Sequence, residues 1–220
     1  MKVEIQGDLA QVAKLTLLAS DKCWASGGAL MSLDPDLKWS LKMPSGGTGA
    51  IRRILSGEGL ALTYIEGSRD GQQVTLSSNQ PGKIIEWDLA DGPVVTTRGS
   101  FVAAYGPKID IDVTTAKRAG AAFFGGAGLF LQKISGEGRV LIHGAGDYFD
   151  TRLKSGESLQ VSTGNLAAFS EGVDYTIQAT GDVRRMLFSG EGLFMTRMTG
   201  PGRVILQSLK RGHAVQTRAV

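Results

Sequence analysis

The chain repeats itself, and this repetition limits its possible folds more than any single motif does. The run Leu89–Ala104 is similar to the run Leu153–Ala168, which lies 64 residues later, and a weaker copy begins at Leu17. A glycine signature recurs beside these runs, as Gly57-Glu-Gly-Leu60, Gly126-Ala-Gly-Leu129 and Gly190-Glu-Gly-Leu193. The sequence therefore predicts three copies of one structural unit, at about 1–88, 89–152 and 153–220.

The three units are too short to be separate domains, since about 65 residues bury too little surface for comfortable stability. We expect residues 1–220 to form one compact body. Glycine makes up 31 of the 220 residues, about twice its usual share, and it falls between apolar stretches. Glycine at such places is typical of tight turns between short elements.

Apolar and polar side chains alternate with the period of a half-buried strand. Val140 and Ile142 share one face of such a strand, and Val204 and Leu206 share that face in the next copy. Helical patterns such as Asp182–Met186 are too short to stand alone. The predicted fold is all-β, with three groups of strands in a pseudo-threefold arrangement. Gly-Glu-Gly and Gly-Pro-Gly are predicted to be hairpin turns.

If the units superimpose, matched side chains should be equally buried, because a one-residue slip turns the core face of a strand outward. The repeat spacing matches two sets of three residues: Cys23, Val95 and Leu159, and Leu60, Leu129 and Leu193.

The segment Pro44–Gly59 combines Gly-Gly, Arg-Arg and Gly-Glu in a fairly specific order. Together with Gly190–Met195 and Gly200–Ser208, it resembles the altered-inheritance-of-mitochondria protein family, which has bacterial members and a mitochondrial biogenesis branch. The resemblance runs along almost the whole chain. It implies units like the tryptophan RNA-binding attenuator protein, built as β-sandwiches or short double-stranded β-helices. It implies no established activity and no catalytic residues.

The bulk properties are those of an ordinary soluble protein. The net charge of +3 neither demands nor excludes an anionic partner. Cys23 is the single cysteine, which favours a reducing compartment. Met1–Asp8 shows neither a secretory signal nor a transit peptide. We therefore expect a cytoplasmic protein, and the membrane residence of the mitochondrial branch is not expected to carry over.

Two candidate sites have simpler structural explanations. Pro44–Gly49 resembles a phosphate-binding loop, but Ala50 follows it where a nucleotide loop has lysine, which favours a connector. Cys23 falls on an apolar position of the repeat, which favours a buried thiol over a nucleophile.

The histidines and the acids between glycines give no strong pattern either. His143 and His213 make no zinc motif, and we expect both at the surface or at a rim. Three acids are expected in solvated hairpin turns: Glu58, Glu137 and Glu191. Ala127 replaces the acid in the middle copy of the glycine signature, which breaks any threefold ring of carboxylate ligands.

Basic pairs precede the glycine signature in all three units. They are Arg52 and Arg53, Lys117 and Arg118, and Arg184 and Arg185. Guanidinium groups suit phosphate and carboxylate, so the pairs are candidate contacts for an anionic ligand or partner. The alternative is a set of solvated charges or ion pairs with acids such as Asp110, Asp174 and Asp182.

The sequence best fits a non-enzymatic β-scaffold that presents a surface to a protein, an anionic ligand or a membrane surface, as a homo-oligomer. The alternative is a small-molecule-binding module with its ligand between repeats. A hydrolytic enzyme is the third possibility, and we expect no cofactor. Nucleic acid is a disfavoured partner, because aromatic residues make up only 7% of the chain and do not alternate with basic ones.

Overall fold

The structure is a computed structural model, and it describes residues 1–43, 61–115, 130–179 and 194–211. The regular elements in these ranges are strands and two single turns of 3-10 helix, Leu89–Asp91 and Thr163–Asn165. The prediction of an all-β protein is confirmed. No helix in the described ranges is long and apolar enough to span a membrane.

The strands, in chain order, are β1 (Lys2–Gln6), β2 (Val12–Leu17), β3 (Lys22–Ala25), β4 (Leu30–Leu33), β5 (Lys38–Lys42), β6 (Leu62–Glu66), β7 (Gln72–Ser77), β8 (Gly82–Asp88), β9 (Val94–Thr97), β10 (Phe101–Thr115), β11 (Phe130–Ala145), β12 (Tyr148–Leu153), β13 (Ser158–Ser162), β14 (Leu166–Ser170), β15 (Asp174–Ala179), β16 (Phe194–Thr199) and β17 (Gly202–Gln207).

The strands form three antiparallel sheets. The first has the order β1-β2-β7-β4, and the third has the order β13-β16-β15. The central sheet has ten strands in the order β12-β17-β14-β9-β11-β10-β3-β6-β5, with β8 also paired to β11. The long strand β11 pairs with β9 along its first half and with β8 along its second half.

Glycines let the backbones of β10 and β11 approach each other closely at the middle of this long pair. A Cβ atom on Gly136 would lie 2.0 Å from the backbone oxygen of Lys108. A Cβ atom on Gly138 would lie 2.2 Å from the backbone oxygen of Tyr105. The Gly-Glu-Gly segment around Glu137 therefore lies inside a strand. The prediction of a hairpin turn there is wrong, although Glu137 is exposed as expected.

Three apolar clusters form the core of the described residues, and their members interleave along the chain. The first packs β2, β3 and β7 against Val102 and Leu141 of the long strands. The second packs Trp87 and Phe101 against Ala168 of β14, and the third packs Val95 of β9 and Leu131 of β11 against side chains from β12 to β17. Each cluster therefore takes side chains from strands that are distant in sequence.

Cys23 is fully buried in the first cluster, as predicted. Burial raises the pKa of its thiol to about 12, so the thiol stays protonated at neutral pH. Val95 is also buried, and Leu159 is half-buried against the third cluster. The second set of matched residues lies outside the described residues: Leu60, Leu129 and Leu193.

The close approach at Gly138 gives a first prediction. Gly138→Ala should lower the free energy of unfolding by more than about 2 kcal/mol, because the added methyl group meets backbone that cannot move aside. The matched control is Gly156→Ala, where φ is +76° and a Cβ atom meets nothing within 4 Å. That control should lose only about 1 kcal/mol. Urea unfolding of both variants measures the difference, and equal losses would contradict the steric explanation.

The burial of Cys23 gives a second prediction. A thiol reagent should not label the folded protein, and labelling should begin only with unfolding in denaturant. Cys23→Ser should lower the free energy of unfolding by about 1–3 kcal/mol, since a hydroxyl replaces an apolar group in the core. Rapid labelling of the folded chain, followed by mass spectrometry, would show that the thiol is accessible.

Candidate functional site

Most of the candidate site residues from the sequence lie outside the described residues. These are the six basic residues Arg52, Arg53, Lys117, Arg118, Arg184 and Arg185, together with Pro44–Gly49, Glu58, Glu191 and His213. Among the described residues, a polar cleft and a buried histidine are the features with potential chemistry.

The polar cleft lies where β8 and the turn after it meet β12, β14 and β17. Its volume is about 300 Å³. The lining residues are Trp87, Asp91, Arg152, Leu153, Ser170, Gly202 and Arg203. By the unit bounds predicted from the sequence, Trp87 belongs to the first unit, Asp91 and Arg152 belong to the second, and the remaining lining residues belong to the third.

Arg203 is held rigidly in one wall of this cleft. Its Nε donates hydrogen bonds to both carboxylate oxygens of Asp150, at 3.0 and 2.9 Å, and its Nη2 lies 2.6 Å from Oδ2. Its guanidinium carbon also lies 4.7 Å from the ring centroid of Trp87. Two-point pairing and cation–π contact fix the side chain and largely satisfy its charge.

Arg152 is the second arginine that lines the cleft. It lies directly opposite Arg203 across the pair of β12 and β17. Like charges in that position are unfavourable, and Asp150 compensates Arg203. The Arg152 side chain is exposed and contacts no described acid, so it is available to a carboxylate or phosphate group. Asp91 on another wall offsets part of this positive charge.

A second ionic group joins side chains of β8, β10 and β11. Arg139 Nη1 lies 2.6 Å from Glu86 Oε1, and the Tyr105 hydroxyl donates to Glu86 Oε2 at 2.5 Å. Burial and the neighbouring carboxylate raise the pKa of Tyr105, so the phenol remains protonated. Both carboxylate oxygens of Glu86 are therefore paired, one with Arg139 and one with Tyr105, so this group offers no unpaired acid or base.

His143 is fully buried, so the prediction of a surface or rim histidine is wrong. Its strand is covered on both faces from Val140 to Ala145, and its backbone N–H donates to the Ser100 carbonyl at 2.7 Å. The alternation of the sequence could not show this, because it assumes that one face of each strand meets solvent.

The partner of His143 is Arg211, which lies 68 residues later in the chain. Arg211 Nη2 lies 2.6 Å from His143 Nδ1 and donates to the His143 carbonyl at 3.0 Å. Its Nη1 donates to Ser100 Oγ at 3.1 Å. Since an arginine only donates, Nδ1 accepts, and the imidazole proton lies on Nε2. Nε2 has no hydrogen-bond partner among the described residues.

Burial and the charge of Arg211 lower the pKa of His143 to about 4. Burial also lowers the pKa of Arg211 to about 10, and the arginine remains charged at neutral pH. A neutral imidazole beside a cation suits a structural acceptor more than a general base at neutral pH. Sequence reasoning missed this pair, because Arg211 stands near the end of the chain without any motif.

This pair predicts a loss of stability in mild acid. The unfolded chain binds a proton to His143 near pH 6.5, whereas the folded protein binds it only near pH 4. Stability is therefore highest above pH 6.5 and falls as the pH drops towards 4, by about 2–3 kcal/mol for this group. His143→Gln, which keeps an acceptor for Arg211, should remove that part of the dependence. Urea unfolding across this range measures both proteins, and identical pH profiles would contradict the assignment.

Comparisons with known proteins bear on the fold and the family. The crystal structure of protein SPYM3_0169 from Streptococcus pyogenes is similar to this chain, with a TM-score of 0.78 and 22% sequence identity over 95% of this chain and 94% of that one. At this identity, the likeness concerns the fold alone. No curated protein matches the chain significantly. Residues 3–209 match the family described as Mitochondrial biogenesis AIM24. Because this match covers nearly the whole chain and agrees with the resemblance seen in the sequence, the protein belongs to the AIM24 family.

Proposed function

We propose that this chain is a non-enzymatic β-scaffold of three similar units that binds another protein through an apolar surface. The surface, here called the open face, consists of Trp39 and Leu41 on β5 and Met43 just after it. Its exposure is the observation that carries the proposal. Trp39 is 51% exposed and Leu41 is 63% exposed. Contiguous exposed apolar side chains of this size are typical of interaction surfaces.

The pattern of strand pairing supports the three-unit part of the proposal. In this proposal the first group of strands is β1–β7, the second is β8–β11 and the third is β12–β17. In the first group, β7 pairs with β2 and β4, while β6 pairs with β3 and β5. In the third group, β17 pairs with β12 and β14, while β16 pairs with β13 and β15. In the second group, the single long strand β11 takes the place of the two central strands, which are β6 and β7 in the first group. It pairs with β8, with β9 and with both halves of β10.

An irregularity of register also supports the three-unit part of the proposal. One strand in each group slips by one residue against its partner at the same place in the pattern. The slips lie between Leu30 and Ser32, Phe101 and Ala103, and Leu166 and Ala168. In this proposal β8 begins the second unit because it pairs with β11, and β12 begins the third unit because it pairs with β17. The unit boundaries therefore fall near residues 78–81 and 146–147.

The matched core positions follow from the same pairings. Cys23 pairs with Ile65, Val94 pairs with Ile134, and Leu159 pairs with Met198. Leu159 therefore matches Val94 in the proposed repeat, one residue before the Val95 that a constant spacing predicts. The attenuator-like arrangement of the units is part of this proposal.

The open face stands out when the units are compared. Trp39 and Leu41 occupy the places of Ile111 and Val113 on β10, each of which is 3% exposed. The matching residue Ile177 on β15 is also buried. Two units therefore cover this position with protein, whereas the described part of the first unit leaves it open.

Two reactive groups support a non-enzymatic role. The Cys23 thiol is buried, and its raised pKa keeps it from acting as a thiolate. His143 is held as a neutral acceptor beside Arg211. Both side chains thus serve the core of the scaffold.

The alternative function is small-molecule binding between units, and Arg152 is the observation that favours it. The polar cleft offers this exposed cation beside the fixed Arg203. Such a ligand should be small and should carry a carboxylate or a phosphate. The basic pairs beginning at Arg52, Lys117 and Arg184 are a further candidate surface for an anionic partner.

Native mass spectrometry of gently isolated protein distinguishes these functions. A scaffold should carry the added mass of a protein, and Trp39→Ser with Leu41→Ser should lose that mass while retaining its circular dichroism spectrum. The matched control is Leu9→Ser, which changes an apolar side chain that is 84% exposed outside the open face. A small retained mass that Arg152→Ala removes would favour the alternative, and a bare chain throughout would contradict the scaffold.

A further inference from the structure

We propose that one face of the strands β3, β6 and β5 binds single-stranded nucleic acid, with bases stacked on two aromatic rings and phosphates held by lysines. We call this surface the aromatic–lysine face, and it consists of Lys22, Trp24, Lys38, Ser40, Lys42 and Tyr64. The inference goes beyond the proposed scaffold function, because this face lies on the side of β5 opposite to the open face.

The register of the three strands brings the two aromatic rings together. Trp24 and Ser40 lie on either side of Tyr64, each directly opposite it on a neighbouring strand. The adjacent residues Cys23 and Ile65 are buried in the first core cluster. Because successive side chains of a strand point to opposite faces, the two rings lie on the other face of the sheet. Both rings are half-buried there.

The two rings form a corner that a charged group can reach. Their centroids lie 4.8 Å apart, with an angle of 64° between the ring planes. The Lys42 ammonium lies 3.3 Å from the centroid of Tyr64 and 5.8 Å from that of Trp24. Lys42 is exposed, and its long side chain can turn while its ammonium stays in solvent. A base can therefore take the place of the ammonium on the ring while the ammonium moves to a phosphate.

Lysines surround this aromatic corner. Lys22 and Lys38 are exposed, and they lie on either side of Glu66. Glu66 is the single acid that the described part of this face contains, and neither it nor the lysines form an ion pair within the described residues. Lys38 and Lys42 are four residues apart on one strand, which is about 13 Å. Positive charge therefore extends along the whole of β5.

The combination of rings and lysines discriminates between possible partners. The lysines would repel a cationic ligand, and an acidic peptide would pair with the lysines but leave the rings unused. Single-stranded nucleic acid has phosphates for the lysines and flat bases for the rings, and such stacking accepts every base. A duplex fits less well, because its bases are stacked on one another inside the helix.

The fold does not require aromatic rings at these positions. In the third group, the row that matches Trp24, Tyr64 and Ser40 is formed by polar residues. They are Gln160, Arg197 and Thr176. In the second group, Lys133 takes the place of Tyr64. Among these three rows only the first carries aromatic rings, which favours a binding role over a structural one.

Strand pairing creates a pattern that the sequence does not show. Along the chain, aromatic residues do not alternate with basic ones. Across β3, β6 and β5, however, the rings of Trp24 and Tyr64 lie among three lysines. The low aromatic content of the whole chain therefore does not count against binding at this face.

Fluorescence anisotropy with a labelled single strand tests the proposal. At low salt the native chain should bind an RNA or DNA strand of about ten nucleotides. If three lysines each neutralise one phosphate, the logarithm of the association constant should fall with the logarithm of the salt concentration, with a slope of about −2. Lys38→Ala should reduce the magnitude of this slope by about 0.7. Lys154→Ala removes an exposed lysine outside the face and should leave the slope unchanged.

An abasic strand of the same length separates stacking from charge. It carries the same phosphates but no bases, so it should bind at least about fivefold more weakly than the normal strand. Tyr64→Leu should weaken binding of the normal strand by a similar factor and leave binding of the abasic strand unchanged. Equal affinity of the native chain for the two strands would overturn the proposal. So would equal affinity for a glutamate peptide of the same charge, which would show a general surface for anions.

A charge placed in the face provides a variant that should keep its fold. Ser40 is exposed, and Ser40→Glu puts a carboxylate beside Tyr64, which should weaken strand binding about tenfold or more. Thr176→Glu is the matched control, because it makes the same change at the matching position of the third group. It should bind as the native chain does, and circular dichroism checks both folds. A native chain that binds no strand at low salt, or a Ser40→Glu chain that binds as tightly, would show that the proposal is wrong.

The double variant Trp39→Ser with Leu41→Ser separates this inference from the scaffold function. Both residues lie on the open face, so these changes should leave strand binding intact while the protein partner is lost. If they abolish strand binding in a chain that remains folded, the strand contacts the open face, and the aromatic–lysine face is not its site.

Discussion

Hydrogen bonding between strands of successive groups is the interaction on which the rest of this structure depends. It joins β3 to β10 and β9 to β14, and it places strands from neighbouring groups in one central sheet. The long pair of β10 and β11 connects these two contacts, because β10 pairs with β3 and β11 pairs with β9. This pair needs glycine at 136 and 138 because the backbones come too close for any side chain. Covered on both faces, the middle of the sheet then accepts only apolar residues or polar residues with internal partners.

That constraint explains the polar groups of the interior. His143 stands in a strand segment with no solvent-facing side, so its imidazole needs a donor from within the protein. Arg211 supplies that donor and also bonds Ser100, which ties the end of the described chain to the central sheet. Gln207 on β17 is buried in the same way, and its amide bonds Ala145 and Gly164. These groups hold strands in position and are inaccessible to a substrate.

At the protein surface, the sheet edges differ in whether they carry charged residues. Most sheet edges carry charges, and the ionic contacts of Arg139 and Arg203 lie beside outer strands. The edges of β4 and β13 carry none, and β4 contains the exposed Met31. The open face, formed by Trp39, Leu41 and Met43, is the exposed apolar surface on which the proposed scaffold function rests.

The sequence by itself determined the all-β class, the burial of Cys23 and the membership of the AIM24 family. Period-two alternation and regularly spaced glycines are local properties of the sequence, and they do not depend on how the strands pack against one another. Tertiary structure alone decided the burial of His143, its pairing with Arg211, and the place of Gly136–Gly138 inside a strand. It also decided that Ile111 is covered while Trp39 is exposed, although both have the pattern of core residues. The physical reason is the same in each case: a strand pattern shows which side chains share a face, and only the neighbouring strands determine whether that face meets protein or solvent.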